Sequence, residues 1–239
     1  MLTLPVPLFP SGGRKFNHLM QIGASIKNII FDFGGVILNI DYKLTQRAFA
    51  KLGVTDFDLL YSQAVQNELF DLLEKGFISP SDFRKEVRKF IHGDVSDMQI
   101  DEAWNAMLLD LPEERVRLLD TLKKKYRLFL LSNTNQIHFT AFSSYMKSKF
   151  KRDIFSEVFD KAYLSHEVKM RKPDAEIFEF LLKEQNLKKE ETLFIDDSIQ
   201  HIKGARAIGI PAIHLDLQKG KTILDIDYLI SSEGGVPTD

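Results

Sequence analysis

A chain of 239 residues, 44% hydrophobic and 28% charged, is long enough to bury a full core, as one large domain or as a core with a smaller unit. Its 32 basic and 34 acidic residues nearly cancel, so no extended basic surface is expected, and nucleic acid and anionic membrane are poor partners. Cysteine is absent, which excludes disulfides, thiol nucleophiles and cysteine-ligated zinc and suits a reducing cytoplasm; no apolar run approaches the roughly 20 residues of a membrane span.

Residues 1–24 carry the weakest pattern. Met1 to Pro10 is apolar but holds three prolines and lacks a basic leading segment and a small-residue cleavage pattern. A disordered extension is expected there rather than a signal peptide, with Met20 as an alternative start. The first clear element runs from Ile26 to Phe31, an apolar stretch rich in β-branched and aromatic residues that stops at Asp32. Such a run bounded by glycine predicts a buried strand of a parallel sheet. A carboxylate at its carboxyl end lies where open α/β sheets hold their ligands. Gly34 and Gly35 then allow a tight turn and a close backbone approach to whatever Asp32 holds. Taken alone, Asp32 serves equally well as a cap of that turn.

From Asp41 to Leu111 the pattern is helical, punctuated by caps. Ala48, Phe49 and Leu52 share a helical face, with Gly53 as a stop. Thr55–Asp58 and Ser96–Gln99 read as capping-box starts. The segment Leu73–Gly76 ends one helix, and Ser79-Pro-Ser-Asp82 opens the next with proline at its first position. A helical block inserted after the first strand suits a lid. The Glu74-Lys75-Gly76 turn is placed to reach a substrate but reads better as a plain helix–helix connection, and Trp104 and the Phe residues of the block as its core.

The α/β rhythm resumes at Leu111. Pro112 to Lys125 predicts a helix with Val116, Leu119 and Leu122 on its buried face, and Arg127 to Leu131 a second strand. That strand ends in Ser132-Asn133-Thr134-Asn135, a hydroxyl and amides able to bind an anion or to cap the following helix. A third strand is predicted from Val158 to Leu164. It leads to His166 and to Met170-Arg-Lys-Pro-Asp174, where Lys172 is a point charge on a stiff turn and Pro173 suits the first turn of a helix from Ala175 to Lys183. The fourth strand, Thr192 to Ile195, ends in Asp196-Asp197-Ser198. Adjacent carboxylates at a buried strand end repel each other unless a cation or hydrogen bonds compensate, and Mg²⁺ is the natural cation for such oxygen ligands. A helix from Ile199 to Ile208, a stop at Gly209 and a strand from Pro211 to Leu215 complete the pattern. His201 and His214 are read as incidental.

Taken together in this order, the four strand ends resemble the haloacid dehalogenase-like hydrolase superfamily, and the helical block resembles its C1-type caps. The resemblance spans roughly Ile26 to Leu215. The wording Phe-Asp-Phe-Gly-Gly-Val, Leu-Ser-Asn-Thr-Asn and Met-Arg-Lys-Pro is similar to the bacterial α-glucose-1-phosphate phosphatase branch. The resemblance implies an α/β fold: a Rossmann-like, doubly wound parallel sheet over 25–40 and 112–232, with an all-helical cap over 41–111. It also implies Asp32 as the nucleophile that becomes an aspartyl-phosphate, with Ser132 and Lys172 on the phosphoryl oxygens and Asn133 beside them. Mg²⁺ would be bound by Asp32, the Gly34 carbonyl and Asp197, with Asp196 direct or through water. The implied partner is a small phosphate ester, such as a sugar phosphate.

One departure stands out. Phosphatases of this superfamily usually carry a second aspartate two residues after the nucleophile as general acid and base; here that position is Gly34. General acid–base help is worth about 10²–10⁴-fold, so poor leaving groups suffer while an anomeric phosphate, leaving as a more acidic hemiacetal, depends on it less. The glycine also argues against a phosphomutase. Alternatives are a metal-independent 2-haloacid dehalogenase, against which the Asp196-Asp197 pair speaks, a fold-retaining binding or regulatory protein, and a phosphatase of broad substrate range.

Overall fold

Every residue of strand β1 (Asn28–Phe31) is buried, as expected of a strand covered on both faces. In the computed structural model, which describes residues 26–54 and 68–227, β1 is the centre of a five-stranded sheet. It pairs in parallel with β2 (Arg127–Ser132) on one side and β4 (Thr192–Asp196) on the other. Strands β3 (Lys161–Leu164) and β5 (Ala212–His214) form the edges, giving the order β3-β2-β1-β4-β5. Phe31 stands opposite both Leu130 and Ile195, so Asp32 and Asp196 leave the sheet side by side. Residues 1–24 and the expected capping box at Thr55–Asp58 lie outside the described residues.

Alternate residues of the strands feed opposite faces. Ile29, Phe31, Leu128, Leu130 and Ile195 join one apolar cluster with Val116, Leu119 and Leu122 of helix α5 (Glu113–Leu122). Ile30, Phe129, Leu131 and Phe194 join the other with Ile177, Phe178 and Leu181 of helix α9 (Ala175–Glu184). Both faces are covered, which is the doubly wound arrangement.

Between β1 and α5 lie helices α1 (Tyr42–Lys51), α2 (Leu69–Glu74), α3 (Pro80–Arg88) and α4 (Asp97–Asn105). Reciprocal capping boxes start α3 (Ser79 with Asp82, Pro80 at the first position) and α4 (Ser96 with Gln99). Phe49, Leu73, Phe83, Val87 and Ile100 form a third cluster, which takes in Ile137 of helix α6 (Gln136–Phe150). The turn after α2 docks on the segment that follows β3. A Cβ on Gly76, whose φ is +62°, would fall 2.3 Å from the His166 carbonyl oxygen, so only glycine lets the two backbones meet. Lys169 donates to the Gly76 carbonyl, and Arg171 reaches Asp71 at 2.6 Å and Glu74 at 3.1 Å.

Two expected elements shift. The third strand begins at Lys161 because Asp153 caps a short helix, α7 (Ile154–Val158), accepting from the Phe155 and Ser156 N–H groups. Pro173 stands before the cap residue Asp174 rather than inside α9, joined to Lys172 by a cis peptide bond. Helix α8 (Ser165–Val168) follows β3, and α10 (Ile199–Ala207) follows β4. No helix among the described residues is long and apolar enough to cross a membrane.

Candidate active site

The strand ends converge on one side chain. Lys172 is wholly buried, and its ammonium donates to Asp32 Oδ1 at 2.6 Å and to Asp196 Oδ2 at 2.7 Å. A buried charge without partners is very costly, so this double ion pair fixes all three groups. Asp32, Asp196 and Asp197 offer carboxylate oxygens that lie within 4.8 Å of one another. Three acids face one lysine, and burial with mutual repulsion shows in their protonation. Burial raises Asp32 to about 6 against the pull of Lys172, and burial together with Asp32 and Asp196 raises Asp197 to about 7. Asp196 goes the other way: Lys172 and His201 outweigh its burial and hold it below the usual range. Hard oxygen donors with surplus negative charge suit a small divalent cation of the Mg²⁺ type.

The neighbouring residues hold this cluster in place. Asn133 grips the backbone of Lys172 with both ends of its amide, donating to the carbonyl at 2.9 Å and accepting from the N–H at 2.9 Å. Its side chain is therefore committed to the lysine loop. Ser132, the last residue of β2, is buried on the cavity wall beside Asp32. Ser165 closes the loop after β2, accepting from the Thr134 N–H and donating to the Thr134 carbonyl. Asn135 caps α6 by accepting from the N–H groups of Ile137 and His138. Asp196 Oδ1 accepts from the Ser198 N–H at 2.7 Å, and His201 Nδ1 stands 3.0 Å from both Asp196 oxygens. His201 is thus a member of the site, contrary to expectation, and His214 meets the Asp197 carbonyl at 2.9 Å.

The two glycines after Asp32 differ. Gly35 has φ +82°, and a Cβ there would lie 2.3 Å from Asp197 Oδ2, so its bare backbone makes room for that carboxylate. At Gly34 a Cβ would meet only the Ile40 side chain at 3.4 Å, an ordinary contact. Space for a side chain exists at 34, but no group is present to carry a proton.

Above the cluster opens a cavity of about 430 Å³, lined by Asp32, Ser132, Asp197 and His201 and also by Tyr42, Glu74, His138 and Arg171. Glu74, expected in a plain connection, is thus a wall residue. Burial pushes its carboxyl up, with Arg171 opposing. Tyr42, His138 and Arg171 also escaped the sequence reading, although Arg171 precedes Lys172 and His138 closely follows the Ser132–Asn135 motif. Trp104 belongs to the helical core and also lines a second chamber of about 510 Å³.

Comparison with known proteins agrees with this geometry. A profile described as haloacid dehalogenase-like hydrolase matches residues 29–215. A D-ribitol-5-phosphate phosphatase of Bacteroides thetaiotaomicron is 35% identical over 185 residues, 77% of this chain and 89% of that protein. The crystal structure of a HAD family enzyme from the same organism, a magnesium complex, superposes with a TM-score of 0.74 at 37% identity, over 80% of this chain and 93% of the other. A HAD-like family hydrolase from Porphyromonas gingivalis gives a TM-score of 0.71 at 32% identity, over 80% and 91%. With the parallel sheet and its strand-end motifs in place, these matches establish that the chain belongs to the haloacid dehalogenase-like hydrolase family, as a phosphatase.

Proposed function

We propose that this phosphatase is Mg²⁺-dependent and hydrolyses a small sugar or sugar-alcohol phosphate, with Asp32 as nucleophile. The observation that carries the reading is the buried Lys172 bridging Asp32 and Asp196 at a cavity mouth shared with Ser132 and Asp197. Lys172 holds Asp32 Oδ1 and so orients the carboxylate for attack. Lys172 and the Ser132 hydroxyl supply donors for phosphoryl oxygens, and Asn133 keeps the lysine backbone in register. Asp32, Asp197 and the Gly34 carbonyl would hold the cation, with Asp196, already engaged by Lys172, Ser198 and His201, supporting it. When bound, that cation cancels charge on the carboxylates and on the incoming phosphate. The helices over 41–111 act as the cap that encloses the leaving group and limits water. The similarity to a D-ribitol-5-phosphate phosphatase supports a polyhydroxylated leaving group.

Position 34 refines the substrate. With no side chain there to donate a proton, leaving groups more acidic than ordinary alcohols are favoured, and α-glucose-1-phosphate is the leading candidate of that kind. The test is phosphate release from α-glucose-1-phosphate, glucose-6-phosphate, ribitol-5-phosphate and p-nitrophenyl phosphate, with and without Mg²⁺. Mg²⁺-dependent release is expected. Its absence throughout overturns the proposal, and a steep preference for 5- or 6-phosphates over the 1-phosphate overturns the anomeric refinement alone.

A further inference from the structure

The two chambers share Tyr42, Glu74, Met107, Asn133, His138 and Arg171, which form the neck between them. A leaving group that extends from a phosphate at Asp32 toward the second chamber passes these residues. Of them, His138 is the most deeply buried. It is only 7% exposed, in the first turn of the 15-residue helix α6, and stacked on Trp104 with ring centroids 5.1 Å apart. Its Nδ1 lies 2.8 Å from Asn105 Oδ1, and a side-chain carbonyl oxygen only accepts, so Nδ1 carries the proton. Nε2 is left with a lone pair, and no described residue pairs with it. Burial takes the ring down to about 3, and the N-terminus of a helix further disfavours an imidazolium. The ring therefore remains a neutral acceptor throughout the neutral pH range.

The chamber beyond carries the carboxylates of Glu68, Asp71 and Glu74, and Arg171 is already paired with the last two. That wall repels an anionic leaving group and offers acceptors to hydroxyls. We infer that His138 is a specificity-determining residue whose Nε2 accepts a hydrogen bond from a hydroxyl of an uncharged, polyhydroxylated leaving group reaching into the second chamber. The assignment rests on the phosphatase reading above and goes beyond it by naming the group that recognises the leaving group. Asn105 is the corresponding positioning residue, since it sets the tautomer.

The experiment compares kcat/KM for ribitol-5-phosphate with that for n-pentyl phosphate, a chain of equal carbon number without hydroxyls, in the wild type and in His138→Phe, which keeps a ring against Trp104. Loss of one such hydrogen bond is expected to lower the ratio about tenfold. An unchanged ratio overturns the inference. If the wild type fails even on p-nitrophenyl phosphate, the phosphatase reading fails and takes this one with it. Should His138→Phe not fold, histidine ¹⁵N NMR of the wild type decides independently. A protonated Nδ1 and an unprotonated Nε2 are expected, with the Nε2 resonance moving when ribitol is added in the presence of Mg²⁺ and inorganic phosphate, but not with phosphate alone. A protonated Nε2, or a resonance indifferent to ribitol, overturns it.

Discussion

At the carboxyl edge of the sheet, Lys172 and Asp196 are completely buried and hold each other and Asp32 through charge-assisted hydrogen bonds. On the facing wall, Glu74 and His138 are anchored on one side only, by Arg171 and Asn105, and their remaining polar capacity borders the cavity. The pairs made by Lys172 tie the sheet edge together, whereas the wall side chains carry the polar atoms to which the proposal assigns leaving-group hydroxyls. On the proposed reading, phosphoryl chemistry falls to the strand ends and substrate choice to a wall drawn both from the helical block (Tyr42, Glu74) and from the core beside the strand ends (His138, Arg171).

The sharpest way to break this division is Asp32→Asn, which removes the proposed nucleophile while keeping its shape. Phosphate release in the presence of Mg²⁺ should fall by at least about 10³-fold for every substrate alike. A substrate-dependent loss would mean that chemistry and selection are not separable. Next is Lys172→Met. It strands two buried carboxylates, and urea denaturation without Mg²⁺ should show a loss of about 3–5 kcal/mol. A variant as stable as the wild type would show that the ion pairs do not hold the sheet edge together.

The glycine pair sharpens the comparison within one turn. Gly35→Ala should weaken Mg²⁺ binding measured by calorimetry and cost about 1–3 kcal/mol, because the new methyl displaces Asp197 and the backbone is left-handed. Gly34→Ala should be nearly neutral on both counts. Gly34→Asp should raise kcat/KM for ordinary alkyl phosphates, by up to about 10²-fold if the carboxyl reaches the leaving oxygen. The last effect concerns the wall. An unfolded histidine titrates near 6.5 while buried His138 is held to about 3, so below 6.5 the unfolded state binds the extra proton and the native state loses stability. The loss should approach about 1.4 kcal/mol per pH unit between 6.5 and 3 and be absent in His138→Phe. Urea midpoints of both proteins at pH 7.5 and pH 5 measure the difference.

The same division explains what could be read from the chain alone. That Asp32, Ser132, Asn133, Asp196 and Asp197 share one edge was legible because a buried parallel strand is an apolar run, and polar residues at its end mark that edge; Lys172 lies beyond β3 and helix α8, and its stiff Lys-Pro turn singled it out. The sheet and its flanking helices followed from the same runs. Tyr42 and His138 were not legible, and Glu74 was open to either reading, since polar residues on helices are ordinarily solvated and only the docking of the helical block decides which of them face the cavity. His201 was missed for a related reason: the chain turns back after Asp197, bringing the first turn of α10 against Asp196. The start of β3 was misplaced because Val158 is apolar in either conformation, and the cap at Asp153 decided for helix.

The strand order has a consequence for biosynthesis. Asn28 of the central strand pairs with Arg127 and Thr192, so β1 waits for its neighbours until most of the chain has left the ribosome. The helical block draws its apolar cluster almost entirely from residues 49–103 and can consolidate first. Asp32, Lys172 and Asp196 meet only once β4 has been synthesised. The nascent chain therefore carries its enclosing wall well before it has anything to enclose.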